Sequence, residues 1–342
     1  MNELTFTVDA GILNDTEACA SLIDTTAVFP LHIIIDQHVP ASDETIQTIQ
    51  ERLKKVPTEH YTYGQGKTAH ILREQKLSSG SVVISCDPEI GQIGGFGCMG
   101  LTVSPEQFRQ SAASGTIEFP DAQIQEIHFV NELPEFVSAK DLALCIIAKM
   151  GDLDFSHSIL FLRGKSLSVL TEEDKMELCG MLSHIALSAV ITKDKVVKKE
   201  LGYDVSDTIS MAVTPSLKEV YAMKKQDVDL VYIGGTYGGT LTDLELAAKN
   251  MRGLKVSLHT QLYVAPASQT IYEQAAQAGY LAVLEQAGAT ILPPCYDFEQ
   301  IPHQDTMRCI VSNDIQDRRN VILASTQIAI FCALRGCIGE KE

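Results

Sequence analysis

The chain alternates two hydrophobic periodicities. Short runs rich in β-branched residues, LHIIID at 31–36, SVVISC at 81–86, SILFL at 158–162, VDLVYIGG at 228–235 and HTQLYVAP at 259–266, show little alternation of polar and apolar residues. Such runs predict strands covered on both faces. Between them, apolar residues recur at helical spacing over 42–53, 139–150, 171–190, 241–251, 268–278 and 325–335. Terminal signals agree: Ser42 or Asp43 can cap the first helix, TEED opens the third, and Gly336 stops the last. Strands alternating with helices predict an α/β fold with mostly parallel sheets. The stretch KDKVVKKELGYDVSDT, 193–208, is charged and weakly periodic and reads as a boundary between domains 1–200 and 201–342.

In open parallel sheets, ligands gather at the carboxyl ends of strands. Unusual residues stand there. IDQHVP places Asp36, Gln37 and His38 after one strand, SCDPE places Asp87 and Glu89 after another, and YIGGTYGGT sets four glycines around Thr236 and Tyr237. The last turn enters a helix whose N–H groups could receive an anion. Its spacing is neither a Walker loop nor GxGxxG, and a bare tight turn accounts for it equally well.

Composition narrows the function classes. With 342 residues, 45% of them hydrophobic, the chain can bury a sizeable core. Forty-four acidic against 27 basic residues give a formal charge of -17, which argues against nucleic acid and anionic membranes as partners. The N-terminus MNELTFTVDAGILND lacks a basic, apolar leader, and no run of apolar residues is long enough to cross a bilayer, so a cytoplasmic location is expected. The nine cysteines include no CxxC pair. Cys86, Cys98, Cys145, Cys179, Cys309 and Cys332 fall in predicted elements and read as buried, reduced thiols.

The order of segments resembles the large subunit of isopropylmalate isomerase and the first three domains of aconitase. VYIGGTYGGTLTDLELAAKNMRG is similar to that family's strand, cluster-cysteine loop and helix, and VAPASQTIYEQAAQAGYLAVLEQAGATILPPC to the segment leading to its paired cysteines. MELCGMLSHIALSAVITKD resembles the helix that carries a catalytic glutamate, SNDIQDRR the substrate-arginine loop, and ILASTQIAIFCALRG the closing helix. The resemblance implies aconitase-like three-layer domains, with two such subdomains in 1–200 and a third in 201–342. It also implies that the swivelling fourth domain resides in a separate small subunit.

Departures from the pattern bear on the chemistry. The resemblance implies three cysteines holding a four-iron, four-sulfur cluster; here Thr236 stands at the first position and CYDFE, 295–299, retains only Cys295 of the pair. One thiolate cannot hold a cubane, so no such cluster is expected. The family's carboxylate–histidine pairs imply Asp87 as partner of His70. Where the family joins a histidine after that aspartate to a helix glutamate, this chain has Glu89 and His184, the two members exchanged. Asp36 is kept, and Gln37 replaces its neighbouring histidine. Two acid–base pairs facing one cleft are therefore expected. A mononuclear iron or zinc ion on Asp36, His38 and Cys295 is an alternative source of Lewis acidity.

By the same resemblance, Arg319 binds a substrate carboxylate, Ser312 and Asn313 lie beside it, and Asp314 replaces an arginine, which suits an amino group or hydroxyls on the substrate. Thr236 and Tyr237 would line the same cleft. His32, His60, His128, His157, His259 and His303 have no matching partner and read as structural. These readings converge on a cluster-independent hydro-lyase acting on a small polar hydroxy acid. Two others stay open: a non-catalytic protein that binds a metabolite or partner, and a racemase or isomerase using both histidine pairs without loss of water.

Overall fold

The computed structural model describes residues 3–150, 153–198, 200–214, 216–302, 304–315 and 319–340. The chain forms two compact units: Met1–Glu132 with Gly151–Val205, and Leu133–Met150 with Ser206–Glu342.

The first unit holds a five-stranded parallel sheet in the order His60–Tyr63, Leu31–Ile35, Ala10–Leu13, Val82–Ser85, Met99–Thr102. Its side chains alternate between two cores. Leu13, Ile33, Ile35 and Ile84 pack with Leu22, Leu53 and Phe108 on one face, while Ile12, Ile34 and Val83 pack with Leu72, Ile90 and Ile93 on the other. Neither face has room for a polar stripe, which is why these runs are continuously apolar. The helix over 42–53 is present as Glu44–Leu53, with Asp43 as its cap.

A second, four-stranded sheet in this unit is also parallel, in the order Ser188–Ile191, Ser158–Arg163, Gln123–Val130, Leu201–Asp204. Here the structure corrects one expectation: the helix over 171–190 ends at Leu182, and Ser188–Ile191 is a strand. The apolar spacing continues through SHIAL, but the following SAVI run pairs with the 158–163 strand. A 3-10 helix, Pro88–Phe96, connects the Val82–Ser85 and Met99–Thr102 strands.

The second unit is built on a seven-stranded sheet. Five strands are parallel, in the order Val321–Ala324, Ile310–Ser312, Leu230–Ile233, Gln261–Val264, Ala289–Ile291, and Met211–Thr214 and Ser216–Glu219 extend the sheet antiparallel. Helices Leu241–Met251, Gln269–Gln277 and Thr326–Arg335 follow the predicted spacing, and Gly336 closes the last in the left-handed region. Helix Ala139–Met150 belongs to this unit although its sequence lies within 1–200. Polar anchors explain the placement. The buried Lys140 ammonium donates to the carbonyls of Tyr237, at 2.9 Å, and of Asn313, and Asp141 accepts the Met211 N–H at 3.1 Å. Among the described residues, no helix is long and apolar enough to cross a membrane.

Candidate active site

The carboxyl ends of the first sheet assemble a polar cluster in the first unit. Asp15, fully buried just past the Ala10–Leu13 strand, folds the loop beside it. One carboxylate oxygen accepts the N–H groups of Asp36 and Gln37 at 3.2 and 3.0 Å, and the other accepts the His38 N–H at 3.0 Å and the Gln50 amide at 2.8 Å. His38 is thus placed by its backbone. The neighbouring Asn14 donates its side-chain amide to Asp87. Asn14 and Asp15 carry the same signal in sequence as Asp36, since ILND ends an apolar run just as IIID does.

Asp36 is also fully buried. Its carboxylate accepts the Thr68 N–H at 2.6 Å, the Thr68 hydroxyl at 2.8 Å and the Gln37 amide at 3.2 Å, while Lys67 Nζ lies 2.8 Å from its carbonyl oxygen. Burial raises the Asp36 carboxyl to about 7; the Lys67 charge opposes this, and the charges of Glu89 and Asp15 reinforce it. Gln37 donates to Glu89 Oε2 at 2.7 Å as well, so one neutral amide links two acids.

Asp87 has a different task from the one expected. It is the N-cap of the Pro88–Phe96 helix, with Pro88 in the first turn, and accepts the Glu89 N–H at 2.9 Å. Its other oxygen is held by Asn14. Among the described residues no hydrogen bond joins Asp87 to His70, so the expected pair is not formed. His70 is 2% exposed. Burial, and then the Arg73 charge, lowers its imidazole to about 4, which keeps it neutral near pH 7. Burial, followed by the charges of Glu89 and Asp36, pushes the Asp87 carboxyl well above the usual carboxylate range.

Glu89 and His184 do come together electrostatically. The glycines of EIGQIGGFG are the reason. A Cβ on Gly94 would lie 1.8 Å from the Ala189 carbonyl oxygen, and one on Gly91 would lie 2.3 Å from Ser183 Oγ, so the Pro88–Phe96 helix rests directly on the backbone around His184. His184 is exposed at the surface and packed against its neighbours only in part. That partial enclosure lowers its basicity, and the Glu89 charge works to restore it. Glu89 is half-buried. The swapped pair is thus the part of the cluster that can reach a ligand, whereas Asp36, Asp87 and His70 lie beneath the surface.

In the second unit the GGTYGG turn holds an anion, and the anion is internal. Asp314 accepts the N–H groups of Thr236 and Tyr237, both at 3.0 Å, and Gly235 permits this because its Cβ would sit 1.8 Å from the carboxylate. Asn313 accepts the Gly234 N–H at 2.9 Å and donates to Thr326 at 2.7 Å, and Ser312 accepts the Asp314 N–H at 3.0 Å. Ser312, Asn313 and Asp314 are buried and brace the turn. Thr236 and Tyr237 are buried in the turn itself, and Arg319 is exposed. Arg318 and His303 lie outside the described residues.

The donor set can be compared with the cofactors it was expected to hold or to lack. Thr236 offers a neutral hydroxyl beside the Asp314 carboxylate, and Cys295, buried with φ +59°, is the one cysteine of its loop. Among the described residues, no three His, Cys, Asp or Glu side chains converge as a metal site. Asp36 has both oxygens engaged by Thr68 and Gln37, and Cys295 belongs to the second unit. The donors around Thr236 do not fit a cubane cluster.

Known proteins resemble the chain throughout its length. The model of the aconitase family (aconitate hydratase) matches residues 12–197 and 183–336. A 3-isopropylmalate dehydratase large subunit of Archaeoglobus fulgidus is 24% identical, over 91% of this chain and 85% of its own length. The homoaconitase large subunit of Thermus thermophilus is 27% identical over 80% and 72%, respectively. Among solved structures, Thermococcus kodakaraensis aconitase X in its holo form superposes with a TM-score of 0.59 at 12% identity, covering 97% of this chain and 86% of that one. The chain belongs to the aconitase family.

Proposed function

We propose that this chain is the large subunit of a hydro-lyase that adds or removes water on a small polar hydroxy acid without an iron–sulfur cluster. One observation carries the reading: the Glu89 charge acts on the exposed His184 imidazole, and glycine brings the segments that bear them into close contact. Family membership supports the reaction class, and relatives named as large subunits support a small-subunit partner. The lone Cys295 and the hydroxyl of Thr236 support independence from a cluster.

Neutral His184, its basicity lowered by enclosure, takes the proton next to the substrate carboxylate. Glu89 stabilises the imidazolium that forms. The imidazolium returns that proton to the departing hydroxyl, water leaves and a carbon–carbon double bond remains, so no redox partner is needed. Gln37, donating to both Asp36 and Glu89, holds the Glu89 carboxylate in place to stabilise the imidazolium. The internal engagement of Ser312, Asn313 and Asp314 favours a second reading, in which the chain binds a ligand without turning it over.

Protein purified without oxygen, mixed with a candidate small subunit, is to be offered a panel of hydroxy acids in deuterated water. Formation of the unsaturated acid is expected, with losses of about 10²- to 10⁴-fold in Glu89→Gln and His184→Gln at unchanged ligand affinity. Turnover that depends on stoichiometric iron and sulfide would overturn the cluster-free mechanism. Variants that lower only thermal stability would favour the binding reading.

A further inference from the structure

The second sheet of the first unit carries a basic groove unrelated to the site above. It lies at the carboxyl ends of the parallel strands Ser158–Arg163 and Ser188–Ile191, has a volume of about 550 Å³, and is lined by Arg163, Lys165, Lys175 and Lys193 together with His128. In a chain of charge -17 such a concentration of cations runs against the background. Lys175 lies near the start of helix Glu172–Leu182 and His184 just past its end, with about 10 Å of helix between Lys175 and Leu182, so the groove is separate from the Glu89–His184 pair.

Charge accounting separates structural cations from surplus ones. Arg163 meets buried Glu126 at 2.6 Å and also Glu200, which takes Lys195 at 3.0 Å and faces His128 at 3.3 Å. Glu126 in addition accepts the N–H groups of Val196 and Val197 at 2.6 and 3.1 Å. This balanced network ties Lys195, Val196, Val197 and Glu200 across the strand ends. Lys165, Lys175 and Lys193 stay outside it, and among the described residues no carboxylate engages them. Glu172 nearby is already paired with Arg73 at 2.8 Å, and Asp194 lies on an adjoining groove. Gly164 makes the turn after the strand possible: with φ +152°, its Cβ would lie 2.3 Å from the Phe129 carbonyl oxygen.

Three lysines thus line one groove from three segments, the turn after one strand, a helix, and the turn after the next strand. We propose that this groove binds the phosphoryl group of a small phosphorylated metabolite. A tetrahedral dianion presents oxygens in several directions and suits separate point charges, whereas a planar carboxylate is best matched by a free guanidinium, and Arg163 is already committed.

The test is calorimetric titration with glycerol 3-phosphate and inorganic phosphate at constant ionic strength. Saturable one-site binding is expected, weakened about tenfold in Lys175→Gln and in Lys193→Gln, and unchanged in the remote Lys55→Gln. Thermal unfolding of each variant checks that it is folded. Three outcomes overturn the proposal: no saturation, equal binding by the Lys175→Gln/Lys193→Gln double variant, or citrate binding more tightly than the phosphate ester at matched charge.

Discussion

Gln37 donates one side-chain amide to two acids, lying 2.7 Å from Glu89 and 3.2 Å from Asp36. A neutral group that cannot titrate therefore stands between two carboxylates, and the Glu89 charge adds to the rise of the Asp36 carboxyl. Gln37→Leu removes the donor and leaves both acids facing an apolar side chain. A loss of about 1–3 kcal/mol is expected in urea unfolding, and Gln37→His, which restores a donor, should lose less. Equal stability of all three proteins would count against the bridge.

Asp36 makes stability depend on pH. Its carboxyl is raised from 3.8 to about 7, so the folded state binds a proton that the unfolded chain releases. This contribution is fully present below pH 3.8 and is lost as pH rises through about 7. Asp36→Asn lacks it. The stability of the wild type relative to the variant should therefore decline between about pH 4 and 7 and then level off, measured by denaturant titration at each pH. A difference that stays flat would place the Asp36 carboxyl in the ordinary range.

Gly94→Ala should reach the chemistry through the backbone. Its Cβ meets the Ala189 carbonyl oxygen at 1.8 Å, so the Pro88–Phe96 helix must lift away, at a cost of about 1–3 kcal/mol. Glu89 recedes with it. The His184 pKa, followed by NMR, should then fall further, because enclosure remains while the opposing charge has moved off. An unchanged His184 titration would show that Glu89 is not its partner.

Asp314→Ala strips two backbone N–H groups, those of Thr236 and Tyr237, of their acceptor inside a buried turn. Each orphaned donor costs about 1–3 kcal/mol. Asp314→Asn keeps one acceptor oxygen and should lose roughly half as much. Denaturant unfolding checks both. If Asp314 instead held a substrate group, Asp314→Ala would leave stability unchanged and weaken only ligand binding.

The architecture was largely legible because continuous β-branched runs and 3.6-residue spacing report burial directly, and five strands and most helices lie where those patterns put them. The helix over 171–190 was misjudged because SHIAL keeps helical spacing across a break that sheet pairing imposes. That the Glu89 charge acts on His184 was legible only through the family resemblance, because the two residues stand far apart in sequence. The role of Asp87 was hidden: an aspartate before proline caps a helix or orients an imidazole with the same two letters, and only its contact with Asn14 decides. The bracing contact of Asp314 was hidden for a similar reason. Nothing local reveals that a carboxylate at 314 folds back onto a glycine turn some 78 residues earlier.

Because helix Ala139–Met150 packs in the second unit while strand Leu201–Asp204 completes a sheet of the first, neither unit is a continuous stretch of chain. On the ribosome the helix emerges long before its own sheet has been made, and the four-stranded sheet of the first unit cannot close until residue 204 has left the exit tunnel. No single cut in the gene yields two self-sufficient fragments. The two halves must be inherited, synthesised and degraded together.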